Sequence, residues 1–278
     1  MKLKKILNNN AVIVQDGEIE KIAMGSGIAF NKQKNDAVNK AEVEKLFVVE
    51  ETDKLQQLIA RIPEAHFEIC EKIISYAEEA LGIKLNDHIH ISLTDHVSFA
   101  IERLQEGVYL QNKLLQEIKV LYKEEFQIGM WAIRYIEEQL EVEMPMDEAG
   151  YIALYIHTAK PQSRDMKETV RLTTIVNDLI QTIADYLNLT IDDDISYQRL
   201  MTHLRYSITR VEHYEMHTMD DEMLEMIKAK YALAFACSQK VAHVLLHTYG
   251  IGLPENELGF IALHVERLRK RSTIIRKD

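Results

Sequence analysis

Three histidines share a local pattern that suits phosphoryl chemistry. His96 has Leu93 three residues before it, Phe99 three after, Ala100 four after and Arg103 seven after. A period of 3.6 residues places all of these on one helical face. His203 repeats the arrangement with Leu200, Tyr206, Ser207 and Arg210, and His264 has Arg267 at i+3 and Arg271 at i+7. An imidazole that takes up a phosphoryl group acquires a near-dianion, and a guanidinium two turns along the same face offers it a partner. Asp95 and Thr202, which precede His96 and His203, are candidates for orienting a ring nitrogen, although adjacent helical residues do not normally face each other. The competing explanation is a core-edge histidine satisfied by hydrogen bonds. Local sequence alone favours that explanation; recurrence at matched places brings the two level.

Other chemistries find less support. His243 and His247 have the i, i+4 spacing of zinc ligands, but VAHVLLH has no acid in the HExxH position. Gly25 to Gly27 read GSG without the GK[ST] of a phosphate loop. Cys70 and Cys237 show no CxxC spacing, which argues against both a disulfide framework and a thiolate cluster and fits a reducing compartment. With no nucleophile–base or paired-carboxylate constellation, a non-enzymatic protein without metal or cofactor is expected. At the N-terminus, ILNNNAVIV and MGSGIAFNK concentrate amides, glycines, lysines and Phe30. Asparagine can read base edges and an aromatic can stack on an exposed base, as in RNA recognition, whereas hairpin turns alone use the same residues.

The elements that would position these residues fall into three blocks. The first 50 or so residues carry short β-branched runs (LKKIL, AVIV, EIEKIAM, VEKLFVV) between turn residues, and Asp16–Gly17 reads as a type I′ hairpin with positive φ at both positions. So small a sheet is marginal alone, so it is expected to gain a second hydrophobic face by dimerising. The rest is helical: one helix should stop at Pro63, another should run from Glu64 to about Leu81 and end at Gly82, and Asn86 or Asp87 should cap the helix that carries His96. The helical part repeats itself. PMDEAGYIAL at 145–154 returns as PENELGFIAL at 254–263, and Ile118, Lys119, Tyr122 and Phe126 return as Ile227, Lys228, Tyr231 and Phe235, at an offset of 109 (254 − 145); around His96 and His203 the offset is 107 (203 − 96). This is a domain duplication, not a solenoid. The expected fold is multi-domain: a small antiparallel β-domain at 1–55, then two homologous all-α helical-bundle domains at 56–168 and 169–278, joined near PQSRD. The copies disagree at one place, where Tyr155 stands opposite His264.

Charge follows the same division. The chain of 278 residues carries a formal −11, yet residues 1–34 hold Lys2, Lys4, Lys5, Lys21, Lys32 and Lys34 against only Asp16, Glu18 and Glu20. A basic leader heads an acidic body, which permits a nucleic-acid contact without establishing one. No run of about 18 apolar residues is present, and MKLKKILNNN turns polar too soon for a signal peptide. A cytoplasmic protein, not inserted in a membrane, is expected.

Taken together these residues resemble the BglG/SacY family of transcriptional antiterminators of bacterial sugar operons. KILNNNAVIV and MGSGIAFNK resemble its co-antiterminator RNA-binding domain, SLTDHVSFAIER and DEAGYIAL its first PTS-regulation domain, ISYQRLMTHLRY and ELGFIALHVER its second. The resemblance implies a homodimer that grips a hairpin of the leader mRNA and prevents the overlapping terminator from forming. It implies RNA contacts at Asn8, Asn10, Gly25, Ser26, Gly27 and Phe30, with Ser26 where the family often has arginine or alanine. It implies phosphorylation at His96 in the first regulatory domain and at His203 and His264 in the second, by the sugar-specific PTS permease and the phosphocarrier HPr respectively. AFNKQKND and EIKVLYKEEFQIGMWA lean toward the sucrose branch, with β-glucosides and glucose open. Tyr155 departs from the family's histidine and cannot form a phosphoramidate. His157 lies about 200° around the helix from Tyr155, so it is a poor replacement. The rival readings are a phosphotransfer protein without RNA binding and a DNA-binding activator; the first 55 residues hold no recognisable helix-turn-helix.

Overall fold

The computed structural model of the chain describes residues 1–17, 19–25, 27–43, 45–48, 61–191, 193–215 and 218–275. Ser26, the helix expected around Leu55, Leu58 and Ile59, and the first domain boundary lie outside the described residues.

Four antiparallel strands, β1 (Lys2–Asn8), β2 (Ala11–Asp16), β3 (Ile19–Met24) and β4 (Lys45–Val48), pair in chain order. AVIV in β2 is apolar on both faces because the sheet is covered on both. One face gathers Leu3, Val12, Val14, Ala23, Ile28 and Val38. The other sets Leu7, Ala11, Ile13, Ile22 and Met24 against Ile62 and Phe67, with Ile91 beside them. The second hydrophobic face, expected from a dimer partner, is therefore covered within the chain. Asn9 adds a side-chain hydrogen bond to Glu64 at 2.7 Å. The β2–β3 hairpin forms as expected, but with Asp16 still paired to Ile19 in the ladder. Of Asp16 and Gly17, Gly17 alone has positive φ, at 68°, and Asp16 instead accepts from Lys21 at 2.6 Å.

The helices are α1 (Glu64–Leu81), α2 (Ile89–Gln105), α3 (Leu115–Leu121), α4 (Lys123–Leu140), α5 (Met146–Thr158), α6 (Met166–Leu187), α7 (Ile195–Glu212), α8 (Asp221–Lys230), α9 (Ala232–Tyr249) and α10 (Glu255–Ile275). Gly82 stops α1 in the left-handed region at φ 65°, and Pro63 precedes its first turn. Asp165, Asp194 and Asp220 cap α6, α7 and α8 with their carboxylates. At α2 the expected side-chain cap is not used: the N-cap is His88, and Asn86 and Asp87 accept through their backbone carbonyls.

Two compact units result, residues 1–112 with 124–164 and residues 113–123 with 165–278. In the first, α1 packs on α2 and α2 on α5. Gly129 of α4 lies so close to α5 that a Cβ there would come within 2.3 Å of the Ala149 carbonyl oxygen. In the second, α6, α7, α9 and α10 enclose Ile175, Leu179, Leu200, Leu204, Val241, Ile261 and Val265. Although α3 lies between α2 and α4 in sequence, it joins this second unit, packing on α6 and α7. Tyr122 shares a hydrogen bond with Thr173 at 3.1 Å, and Arg205 donates to the Leu121 carbonyl at 3.2 Å.

Candidate functional site

In each copy the helix bearing the first histidine packs on the helix that begins with the repeated proline. Pro145 and Pro254 start α5 and α10 and accept from Glu148 and Glu257 at 2.9 and 3.0 Å. This first turn aims both glutamates inward, where Glu148 and Glu257 are 0% exposed. In the first copy the Glu148 carboxylate lies 3.2 Å from His96 Nε2 and takes an ion pair from Arg103. The second copy is bonded more fully. Arg210 donates to both carboxylate oxygens of Glu257 at 2.9 and 2.8 Å, and Ser207 donates to Oε2 at 2.6 Å. His203 Nε2 lies 3.9 Å from Glu257 and 3.4 Å from Ser207 Oγ. Burial alone would raise the Glu257 carboxyl, but the hydrogen bonds from Arg210 and Ser207 hold it below its ordinary value.

These pairs correct one expectation. The arginines at i+7 do not stand ready for a phosphate, since Arg103 and Arg210 are already committed to buried glutamates. The glutamates themselves recur in the sequence, where they read only as first-turn acids favoured by the helix dipole. Which helix they face is tertiary information.

Tyr155 occupies in the first copy the place of His264 in the second. Its ring lies 5.0 Å from that of His96, and the ring of His264 lies 4.7 Å from that of His203. Tyr151 and Phe260 form the next matched pair, at 5.6 and 6.1 Å. Burial, with the charges of Arg267 and Arg199, holds His264 below the ordinary imidazole value, so the ring is neutral near pH 7 and keeps a nucleophilic lone pair. Burial, with the charge of Asp95, pushes the Tyr155 phenol up. His157 is turned to another partner: its Nδ1 and the Lys160 ammonium both bond Glu125 Oε1 at 2.9 Å. That carboxylate, despite burial, is held down to about 2 by these bonds.

At the N-terminal sheet, the Asn8–Asn10 turn and the Gly25–Phe30 segment meet. Gly25 donates to the Asn10 carbonyl at 3.0 Å, Ala29 to the Asn9 carbonyl at 3.0 Å, and Gly27 to Asn10 Oδ1 at 2.6 Å. Asn8 Oδ1 accepts from the Asn10 amide at 2.9 Å. Asn10 is thus buried and braces the glycine turn, which at Gly27 has φ 63°. The brace presents Phe30, which is 69% exposed. Ser26 lies outside the described residues.

The rings of His243 and His247 lie 4.1 Å apart at a tilt of 37°, and among the described residues no cluster of three or more metal-ligating side chains occurs. Burial raises the Cys70 and Cys237 thiols to about 12, which makes them inert. No described helix is long and apolar enough to cross a membrane.

The comparisons with known proteins follow the same division. Residues 1–56 match the CAT RNA binding domain, and residues 71–159 and 177–268 each match the PRD domain. The chain is 40% identical to the beta-glucoside operon antiterminator of Dickeya chrysanthemi over 97% of each chain. It is 36% identical to the transcription antiterminator LicT of Bacillus subtilis over 98% of this chain and all of that one. To the GlcA/glcB genes antiterminator of Staphylococcus carnosus it is 30% identical, over 97% and 96% of the two chains. The crystal structure of GlcT CAT-PRDI superposes with a TM-score of 0.51 at 36% identity, covering 57% of this chain and 96% of that one. The names of these relatives refer to a beta-glucoside operon and to the glcA and glcB genes. An RNA-binding sheet joined to two copies of one regulatory helical domain makes this chain a member of the BglG family of transcription antiterminators, which are regulators and not enzymes.

Proposed function

We propose that the chain binds, as a homodimer, a hairpin in the leader transcript of a sugar operon, most closely a β-glucoside one, and so keeps the terminator from forming. Its cytoplasmic partners are HPr and the sugar-specific PTS permease. His96, His203 and His264 are the phosphoacceptors, and Asn8, Asn10, Gly25, Ser26, Gly27 and Phe30 form the RNA contact. The domain limits are near 55 and 168.

The carrying observation is the matched pair of clefts, each holding a histidine against a buried glutamate–arginine pair. In phosphorylation the imidazole lone pair forms the N–P bond while the donor's own bond to phosphorus breaks. The product is a bulky anion at a helix–helix contact, which can bias packing between two states. The sheet edge supports the RNA assignment: Phe30 is available for stacking, and Asn10 fixes the turn that presents it.

The test is a gel-shift titration with the leader hairpin. Phe30→Ala should weaken binding by about 5- to 150-fold, since base–aromatic stacking contributes about 1–3 kcal/mol per base. Unchanged affinity in a folded Phe30→Ala chain contradicts the assignment.

A further inference from the structure

We propose that Arg199 and Arg267 form a phosphate-holding pair found in the second histidine cleft alone, so that a phosphoryl group on His203 or His264 is retained there whereas one on His96 meets mainly acids. The inference rests on the reading of these histidines as phosphoacceptors.

Position is the first observation. Arg199 lines an open cavity of about 420 Å³ together with Gln198, Thr202, His203, Tyr206 and His264. Arg267 lies one helical turn beyond His264 on α10, and both guanidiniums act electrostatically on the His264 ring. Commitment is the second. In the same unit Arg171, Arg210, Arg269 and Arg271 are ion-paired, to Glu168 and Glu212, Glu257, Glu266 and Asp194 respectively. Among the described residues neither Arg199 nor Arg267 enters an ion pair, so both are available to an incoming anion. Glu257, the acid that faces the histidines from α10, is already occupied by Arg210 and Ser207.

The first copy supplies the contrast. The repeat offsets put Ser92 where the second copy has Arg199, Thr158 where it has Arg267, and Asp95 where it has Thr202. Asp95 acts on Tyr155, the neighbour of His96. A cation does occur nearby: Arg61 lines a cavity of about 280 Å³ with Asp95, Ser98, Phe99 and Glu102, where two acids outnumber it. A phosphoryl group carries about −1.5 to −2 charges near pH 7 and three acceptor oxygens, so it favours a site with two uncommitted guanidiniums and disfavours one beside uncompensated carboxylates.

The experiment uses the full chain phosphorylated with the small donor phosphoramidate, so that no partner protein is required. Phosphorus NMR follows the titration of each phosphohistidine, assigned with His96→Ala, His203→Ala and His264→Ala. The groups on His203 and His264 should titrate below a phosphohistidine in an unfolded peptide by about half a pH unit or more, as opposite charges nearby require. The group on His96 should titrate at or above that reference. Arg199→Gln/Arg267→Gln should abolish the depression at the second cleft without moving His96, and Arg199→Lys/Arg267→Lys should restore most of it. Signals at all three histidines that titrate alike, or that ignore the arginine variants, overturn the holding pair and leave the phosphoacceptor reading standing. No signal from any of the three overturns both.

Discussion

In the first cleft a single histidine faces Tyr151 and Tyr155, with Asp95 alongside; in the second, His203 stacks on His264, with Arg199 lining the cavity and Arg267 one helical turn beyond His264. The frame beneath is common to both. A proline starts a helix, its first turn buries a glutamate, and an arginine from the opposite helix neutralises that glutamate. Duplication has preserved the part that sets helix–helix geometry and let the chemically active rim diverge. One modification can therefore have different consequences in the two copies, because an added anion meets a different field in each.

The shared frame is where the largest effect is expected. Glu148→Ala and Glu257→Ala should each cost about 3–5 kcal/mol in urea unfolding, since each strands a largely buried guanidinium. The loss should be greater at Glu257, which accepts from both Arg210 and Ser207. Equal, small losses at both positions would mean that the glutamates do not fix the helix pairs.

A smaller effect should separate the copies. Gly129→Ala places a methyl group within 2.3 Å of the Ala149 carbonyl, and overpacking of this kind costs about 1–3 kcal/mol. The equivalent position in the second copy holds Ser238, whose hydroxyl bonds the Phe235 carbonyl, so Ser238→Ala should cost less. Thermal unfolding of the two variants measures the difference.

The smallest effect concerns pH. His264 is held below the ordinary imidazole value, so its neutral form is favoured in the folded state. Its contribution is complete above about pH 6.5 and is lost as pH falls through the depressed folded value. His264→Tyr, which imitates the first copy, should therefore reduce the loss of stability as pH falls below about 6.5. His66, also depressed by burial, contributes equally to both proteins and cancels in the comparison. An unchanged pH profile in His264→Tyr would show that the two arginines and burial do not act on the ring as described.

Much of this was legible in the sequence because it depends on local rules. The stop at Gly82, the start at Pro63, the duplicated PMDEAGYIAL and PENELGFIAL, and the mismatch of Tyr155 with His264 are all read from spacing and backbone preference. What escaped depends on which surfaces meet. Arg103 and Arg210 share a face with their histidines, as expected, but the sequence does not reveal that Glu148 and Glu257 approach from the other helix and engage them. Asn10 reads as a base-reading amide, and in the fold its oxygen braces Gly27. The second face of the sheet was expected to need a partner chain, yet Ile62 and Phe67 cover it. Residues 113–123 belong to the first copy in sequence and to the second unit in space. Gly129 is one glycine within a helix and carries no local sign of the close approach it permits.

The central claim is that the clefts hold unequal numbers of phosphoacceptors, one in the first copy and two in the second. Phosphopeptide mapping of the full chain, after incubation with HPr and the sugar permease, tests it most directly. The account predicts phosphate on His96, His203 and His264 and none on His157, whose ring is engaged with Glu125. Phosphate on His157 with none on His96 would contradict it.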